Sequence, residues 1–143
     1  MNKTILAILL ITTTLFSSEI KTRTGEFPAK EMQSQNREIV KMVVEEISST
    51  LPQTIDKYTN LTAIKAKETT MVYYFEINTG FKSDETVKKE DKSRMKKAVT
   101  KGVCQSAKRF IDADISISYI YLSAKTKAEL FKFDISHKDC IGI

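Results

Sequence analysis

At 143 residues and 16.3 kDa, with 41% hydrophobic and 29% charged side chains and a formal charge of +5, the chain has the size and apolar content of one folded domain. Its four glycines (Gly25, Gly80, Gly102, Gly142) lie too far apart to build a glycine-rich phosphate loop. His137 is the sole histidine, which excludes multi-histidine metal sites.

Asn2 and Lys3 open the chain, followed by the apolar run Ile5 to Phe16 and the small residues Ser17 and Ser18. Basic start, apolar core and small-residue cleavage zone are the layout of a secretory signal peptide, here residues 1–18. Read instead as an uncleaved anchor, a helix of this run rises about 18 Å, against a hydrocarbon core of about 30 Å. Export with cleavage leaves a mature chain of charge +4 with no later segment apolar enough to span a membrane. Residues 19–30, with Gly25 and Pro28, read as a mobile lead-in, and residues 31–143 as a single α+β domain.

From about Ala29 to Leu51 the spacing predicts a helix. Met32, Ile39, Val40, Val43, Ile47 and Leu51 form its apolar stripe, Lys41 and Glu45 are placed to pair, and Pro52 stops it. Leu61–Lys67 and Thr70–Asn78 follow as a hairpin, with Met71, Tyr73, Phe75 and Ile77 alternating on one face and Val72 and Tyr74 on the other. A second helix is predicted over about Thr86 to Ile111, its stripe Met95, Val99, Gly102, Val103, Ser106 and Phe110. Cys104, Ala107 and Ile111 fall on a separate flank, which the segment carrying Cys140 is expected to cover. Ile115–Leu122 and Ala128–Ile135 form a second hairpin, the latter with Phe131, Phe133 and Ile135 on one face. The order αββαββ, with short turns between strands, predicts a two-layer α+β domain. Two helices pack on one face of a four-stranded antiparallel sheet, and the opposite face is tyrosine- and serine-rich.

In an exported chain two cysteines predict a disulfide, Cys104–Cys140, with free thiols as the alternative. A zinc site using both cysteines and His137 has three ligands at best. Nucleophilic chemistry has little to work with. His137 is the one available base, in the polar tail SHKDC, and no serine stands in an elbow context. A bonded Cys104 cannot serve as a thiolate. The carboxylates Glu85, Glu90, Asp91, Asp112, Asp114 and Asp134 sit in charged or turn surroundings, and Asp56 follows the proline turn. No catalytic residue, metal or cofactor is assigned.

The strongest charge signal is the predicted second helix, where nine basic residues face only Glu90 and Asp91, for a net +7. Arg94, Lys97, Lys101 and Lys108 project from the side opposite the apolar stripe. They form a candidate surface for an anionic partner such as lipid headgroups or an acidic protein, the bland alternative being a solvated lysine-rich face. Nucleic acid is disfavoured, because no stacking platform accompanies the basic row. Tyr73, Tyr119 and Tyr121 are candidate contacts on the sheet face, against ordinary cross-strand packing.

The segments LPQTID, MVYYFEI, VCQSAKRFID, ISYIY and ELFKFDISHKDC, spread over Leu51 to Cys140, resemble in their order a loosely defined group of small exported bacterial proteins with paired cysteines. That resemblance implies an exported α+β domain with one disulfide and implies no activity. The expectation is therefore a periplasmic or secreted, non-catalytic binding protein: an inhibitor, immunity-type protein or envelope adaptor whose partner is another protein or an envelope component. The alternatives are a small hydrolase using the Asp/Glu set or His137, and a binder of anionic surfaces.

Overall fold

The computed structural model describes residues 29–143; the predicted signal peptide and nearly all of the predicted lead-in lie outside them. Helix α1 (Ala29–Ser48) takes in the last two residues read as lead-in. It buries Val40 completely and packs Ile39, Val43, Val44 and Ile47 against the core. Met32, expected in the stripe, is 36% exposed, and Lys41 pairs with Glu38 at 2.9 Å instead of with Glu45. Asn36, in the middle of this helix, is buried and donates from Nδ2 to the Ala113 carbonyl at 2.6 Å.

After α1 come β1 (Gln53–Thr54), β2 (Thr59–Lys67) and β3 (Thr70–Ile77). Then follow α2 (Asp84–Lys89), α3 (Ser93–Ser106), α4 (Lys108–Asp112), β4 (Ser116–Ser123), β5 (Glu129–Ile135) and a 3₁₀ turn (His137–Cys140). The α+β class and both hairpins hold, but the sheet has five strands in the order β1-β2-β3-β4-β5 and is mixed. β3 and β4 run parallel, with Tyr73 beside Tyr119 and Phe75 beside Tyr121. The all-antiparallel expectation fails because the two hairpins are joined by helices. A long helical crossover returns the chain to the end where β3 began, so the next strand enters parallel. The fifth strand escapes periodicity because two residues carry no alternation.

The predicted second helix is three. Ser83 caps α2, accepting from the Thr86 N–H at 3.2 Å. Asp91 opens α3 by accepting from the Ser93 N–H at 2.9 Å, and the Lys92 ammonium donates to the Val87 and Glu90 carbonyls that end α2. These local bonds satisfy backbone groups that a continuous helix would pair internally. The buried positions of the crossover are Val87, Val103, Cys104 and Ile111, whereas Met95, Gly102 and Ser106 of the expected stripe are exposed.

The helices share one face of the sheet. α1 packs on β2 and β3, and α2 and α3 pack on β5. Met71, Phe75, Ile117, Tyr121, Phe133 and Ile135 form the core beneath them. The other face carries Tyr74, Ile120, Lys132 and Asp134, with Val72 and Ser118 buried among them. Cys104 and Cys140 form a disulfide with a Cα separation of 5.4 Å, which ties the 3₁₀ turn after β5 to α3.

Candidate interaction site

Because α1 lies over β2 and α3 over β5, the helices flank the middle of the sheet, where the aromatic side chains of β3, β4 and β5 gather. Tyr73 and Tyr119 meet edge-on at 5.2 Å, as do Phe75 and Tyr119 at 4.9 Å. Tyr121 stacks on Phe75 at 5.0 Å and on Phe131 at 4.6 Å. The parallel register builds this array, since strand parity places Tyr73, Phe75, Tyr119 and Tyr121 on the face that Met71 and Ile117 share. Tyr73, Tyr119 and Tyr121 therefore do not decorate the open sheet face, as the sequence suggested. They point toward the helices and form a floor.

Above that floor lies a trough of two adjoining hollows that share Thr59 and Met95. The smaller, about 350 Å³, has Tyr73, Phe75, Tyr119 and Tyr121 below, with Ile55 of the β1–β2 loop and Met95 of α3 as walls. The larger, about 640 Å³, runs on past Tyr58, Ile77, Val87 and Phe131. The Asn78 N–H donates to the Tyr58 carbonyl at 2.8 Å and fixes the β1–β2 loop against the end of β3. Gly80, at φ +61°, turns the rim loop in a conformation that favours glycine. Phe81, between Gly80 and Lys82 of the rim, is fully exposed.

The chemistry of the trough is that of contact. Burial, reinforced by the neighbouring Tyr119, pushes the phenols of Tyr73 and Tyr121 up to about 12, and burial raises Tyr119 as well. All three stay protonated at neutral pH and can donate hydrogen bonds from an otherwise apolar floor. Asp56 is the carboxylate of the smaller hollow, and its Oδ1 accepts from the Tyr58 N–H at 2.8 Å. Of the other carboxylates weighed from sequence, Glu90 and Asp91 line the larger hollow, and the rest lie outside the trough. Lys82 holds Glu90 at 2.6 Å, Lys108 holds Asp112 at 2.6 Å, and Ser93 occupies Asp91. Burial raises the Asp134 carboxyl, but hydrogen bonds from Ser118 and Lys132 outweigh it and hold the group below the ordinary range. His137 lies away from the trough, in a small hollow of about 160 Å³ with Lys108, Asp112, Ile141 and Ile143. Among the described residues no group of three or more His, Cys, Asp or Glu is placed to hold a metal, and no helix is long and apolar enough to cross a membrane.

The predicted basic row is divided. Arg94, Lys97 and Lys101 are exposed along α3, which has no acidic residue, whereas Lys108 belongs to α4 and is paired with Asp112. Sequence reasoning missed Ile55 and Tyr58, which precede β2 in a segment without periodicity. It assigned Met95 to the core, although it stands at the apolar edge of α3 where the helix rises off the sheet.

Residues 34–131 match a family described as a domain of unknown function, DUF8479. The chain belongs to that family. The DUF8479 span runs from α1 into β5 and contains every residue of the trough. No curated protein matches the chain in sequence. Three solved structures share its fold. One, from Pseudomonas aeruginosa, is described as a secreted protein (11% identity, TM-score 0.67, covering 81% of this chain and 99% of that one). Another is EpsS, a pilotin of the type 2 secretion system of Vibrio vulnificus (11%, TM-score 0.64, 78% and 96%). The third is AspS, a type II secretion system pilotin of Vibrio cholerae (17%, TM-score 0.61, 78% and 98%). At these identities the likeness shows the fold alone, so this DUF8479 domain shares an architecture found in secreted and secretion-system proteins.

Proposed function

We propose that this protein is an exported, non-catalytic interaction protein of the cell envelope, which docks an apolar segment of a protein partner in the aromatic trough. One observation carries the reading. Ile55, Tyr58 and Met95, three of the eight large hydrophobics exposed among the described residues, line this one concavity, and the fully exposed Phe81 sits on its rim loop. Apolar side chains gathered around a hollow whose floor is already aromatic mark a contact surface, whereas scattered ones carry no such meaning. The fold shared with a secreted protein and two secretion-system pilotins supports an envelope setting, as does the signal-peptide pattern of residues 1–18. The non-catalytic reading rests on the trough's chemistry: protonated phenols, three carboxylates each already engaged (Asp56 by the Tyr58 N–H, Glu90 by Lys82, Asp91 by Ser93), and His137 at a separate site.

The test is co-purification from the native envelope fraction with the wild type and with Ile55→Asp and Met95→Asp. Both side chains are exposed, so the charge enters without disturbing the core. A partner retained by the wild type and lost with both variants supports the reading. A partner retained equally by all three sinks it.

A further inference from the structure

The exposed hydrophobics away from the trough include Ile141 and Ile143 of the tail, 73% and 59% exposed. The fold places them beside the basic row. Cys104 follows Lys101 by three residues and Lys97 by seven, so the three share one side of α3. Cys104 is bonded to Cys140, and the tail therefore leaves the molecule alongside that row. Ile141 and Ile143 border the same hollow as Cys104 and Lys108. Arg94, Lys97 and Lys101 form no ion pair among the described residues, and α3 supplies no acid to neutralise them. Acidic groups of the adjoining segments are already engaged: Asp112 is taken by Lys108, Asp91 by Ser93, and Asp139 bonds Ser136 with Lys96 nearby.

We infer that this face, Arg94, Lys97 and Lys101 with Ile141 and Ile143, is a docking surface for an anionic lipid bilayer. Three unneutralised cations held in a row by a rigid helix match a plane of headgroup phosphates, and two bare isoleucines at the end of the row can enter the interface below them. Basic charge combined with exposed aliphatic side chains is the pattern of interfacial membrane binding. A nucleic acid or a polyanion would use the charges and leave the isoleucines in water. The inference is independent of the trough, which opens on the other flank of α3, around Met95.

The test is co-sedimentation of the full chain with vesicles of phosphatidylcholine alone and with added phosphatidylglycerol. Insertion through the apolar run at residues 5–16 shows on both, so the excess on phosphatidylglycerol is the readout. Each surface cation contributes about fivefold in binding at low salt, so removing three predicts a loss of about 100-fold, and reversing them more. The excess should vanish in Arg94→Glu/Lys97→Glu/Lys101→Glu. It should survive within a few-fold in Lys65→Glu/Lys67→Glu/Lys125→Glu, which makes the same charge change on the sheet hairpins. Ile141→Ser/Ile143→Ser should weaken it several-fold and leave binding wholly salt-sensitive. All altered side chains are exposed, and circular dichroism confirms that each variant is folded. No excess on phosphatidylglycerol, equal loss in the two triple variants, or no effect of the isoleucine pair, as for a simple polyanion binder, overturns the inference.

Discussion

Asn36 offers the sharpest test of how the domain is held together. It is a buried polar residue in the middle of α1, 5% exposed, and its amide donates to the Ala113 carbonyl across 77 residues of chain. Ala113 caps the end of α4, just before β4 enters the sheet, so this bond joins the first helix to the turn that sets the parallel strand. A typical internal hydrogen bond contributes about 1 kcal/mol, and a buried acceptor left without its donor costs about 1–3 kcal/mol. Asn36→Ala should therefore destabilise the domain by about 1–3 kcal/mol. Asn36→Asp should cost more, because a buried carboxylate cannot donate to a carbonyl and faces it with like partial charge. Asn36→Gln keeps the donor but adds a methylene to a packed site, and should cost about 1 kcal/mol. Urea unfolding of the disulfide-intact proteins measures all three. A different order, with Asp no worse than Gln or Ala within about 0.5 kcal/mol of wild type, would refute the reasoning that this bond ties α1 to the crossover.

The disulfide closes a separation of 36 residues, for which chain entropy gives about 4 kcal/mol; Cys104→Ser/Cys140→Ser should fall by about 2–4 kcal/mol in the same urea assay. At high pH the raised phenols of Tyr73 and Tyr121 matter. Groups whose folded pKa lies above the unfolded value stabilise the fold below pH 10, and that stability drains away as pH rises to about 12. Spectrophotometric titration should show these two tyrosines ionising only near pH 12 or on unfolding, and Tyr73→Phe/Tyr121→Phe should soften the alkaline limb. At low pH the Asp139 carboxylate, held below its ordinary range by hydrogen bonds from the Ser136 backbone and hydroxyl, has the opposite sign. Its contribution is present above the unfolded carboxyl pKa and is lost as pH falls through the lower folded value, so Asp139→Asn should flatten the acid limb of a stability-against-pH curve.

Much of this architecture was legible from spacing. The alternation of Met71, Tyr73, Phe75 and Ile77 and of Phe131, Phe133 and Ile135 assigns the strands and their core face correctly, because burial on one side of a sheet enforces a period of two. The separate flank of Cys104 and Ile111 points to a covering segment for the same reason at helical period. What periodicity could not supply was direction. Whether β4 lies beside β3 parallel or antiparallel depends on the crossover between them, and that relation decides which tyrosines meet. Parity groups Tyr73 with Met71 and Phe75 and so with the core face; the enrichment of tyrosine in interfaces pointed instead to the open face, and the register overrides it. The helix breaks at Glu90–Lys92 and Ala107 are equally local, built by Asp91, Ser93 and the Lys92 ammonium inside a continuous run of helix-favouring residues. The trough walls were the least readable part. Ile55 and Tyr58 come from a loop with no period, and only the tertiary fold brings them opposite Met95.

Site-specific photo-cross-linking in the producing cell addresses the central claim most directly. A photoreactive residue placed at Ile55 or Met95, on the two walls of the trough, should capture the same discrete partner, and the same residue at Met42, exposed on α1 at 61% and outside the trough, should not. Equal capture at Met42, or no discrete adduct from either wall, would contradict a trough built for docking.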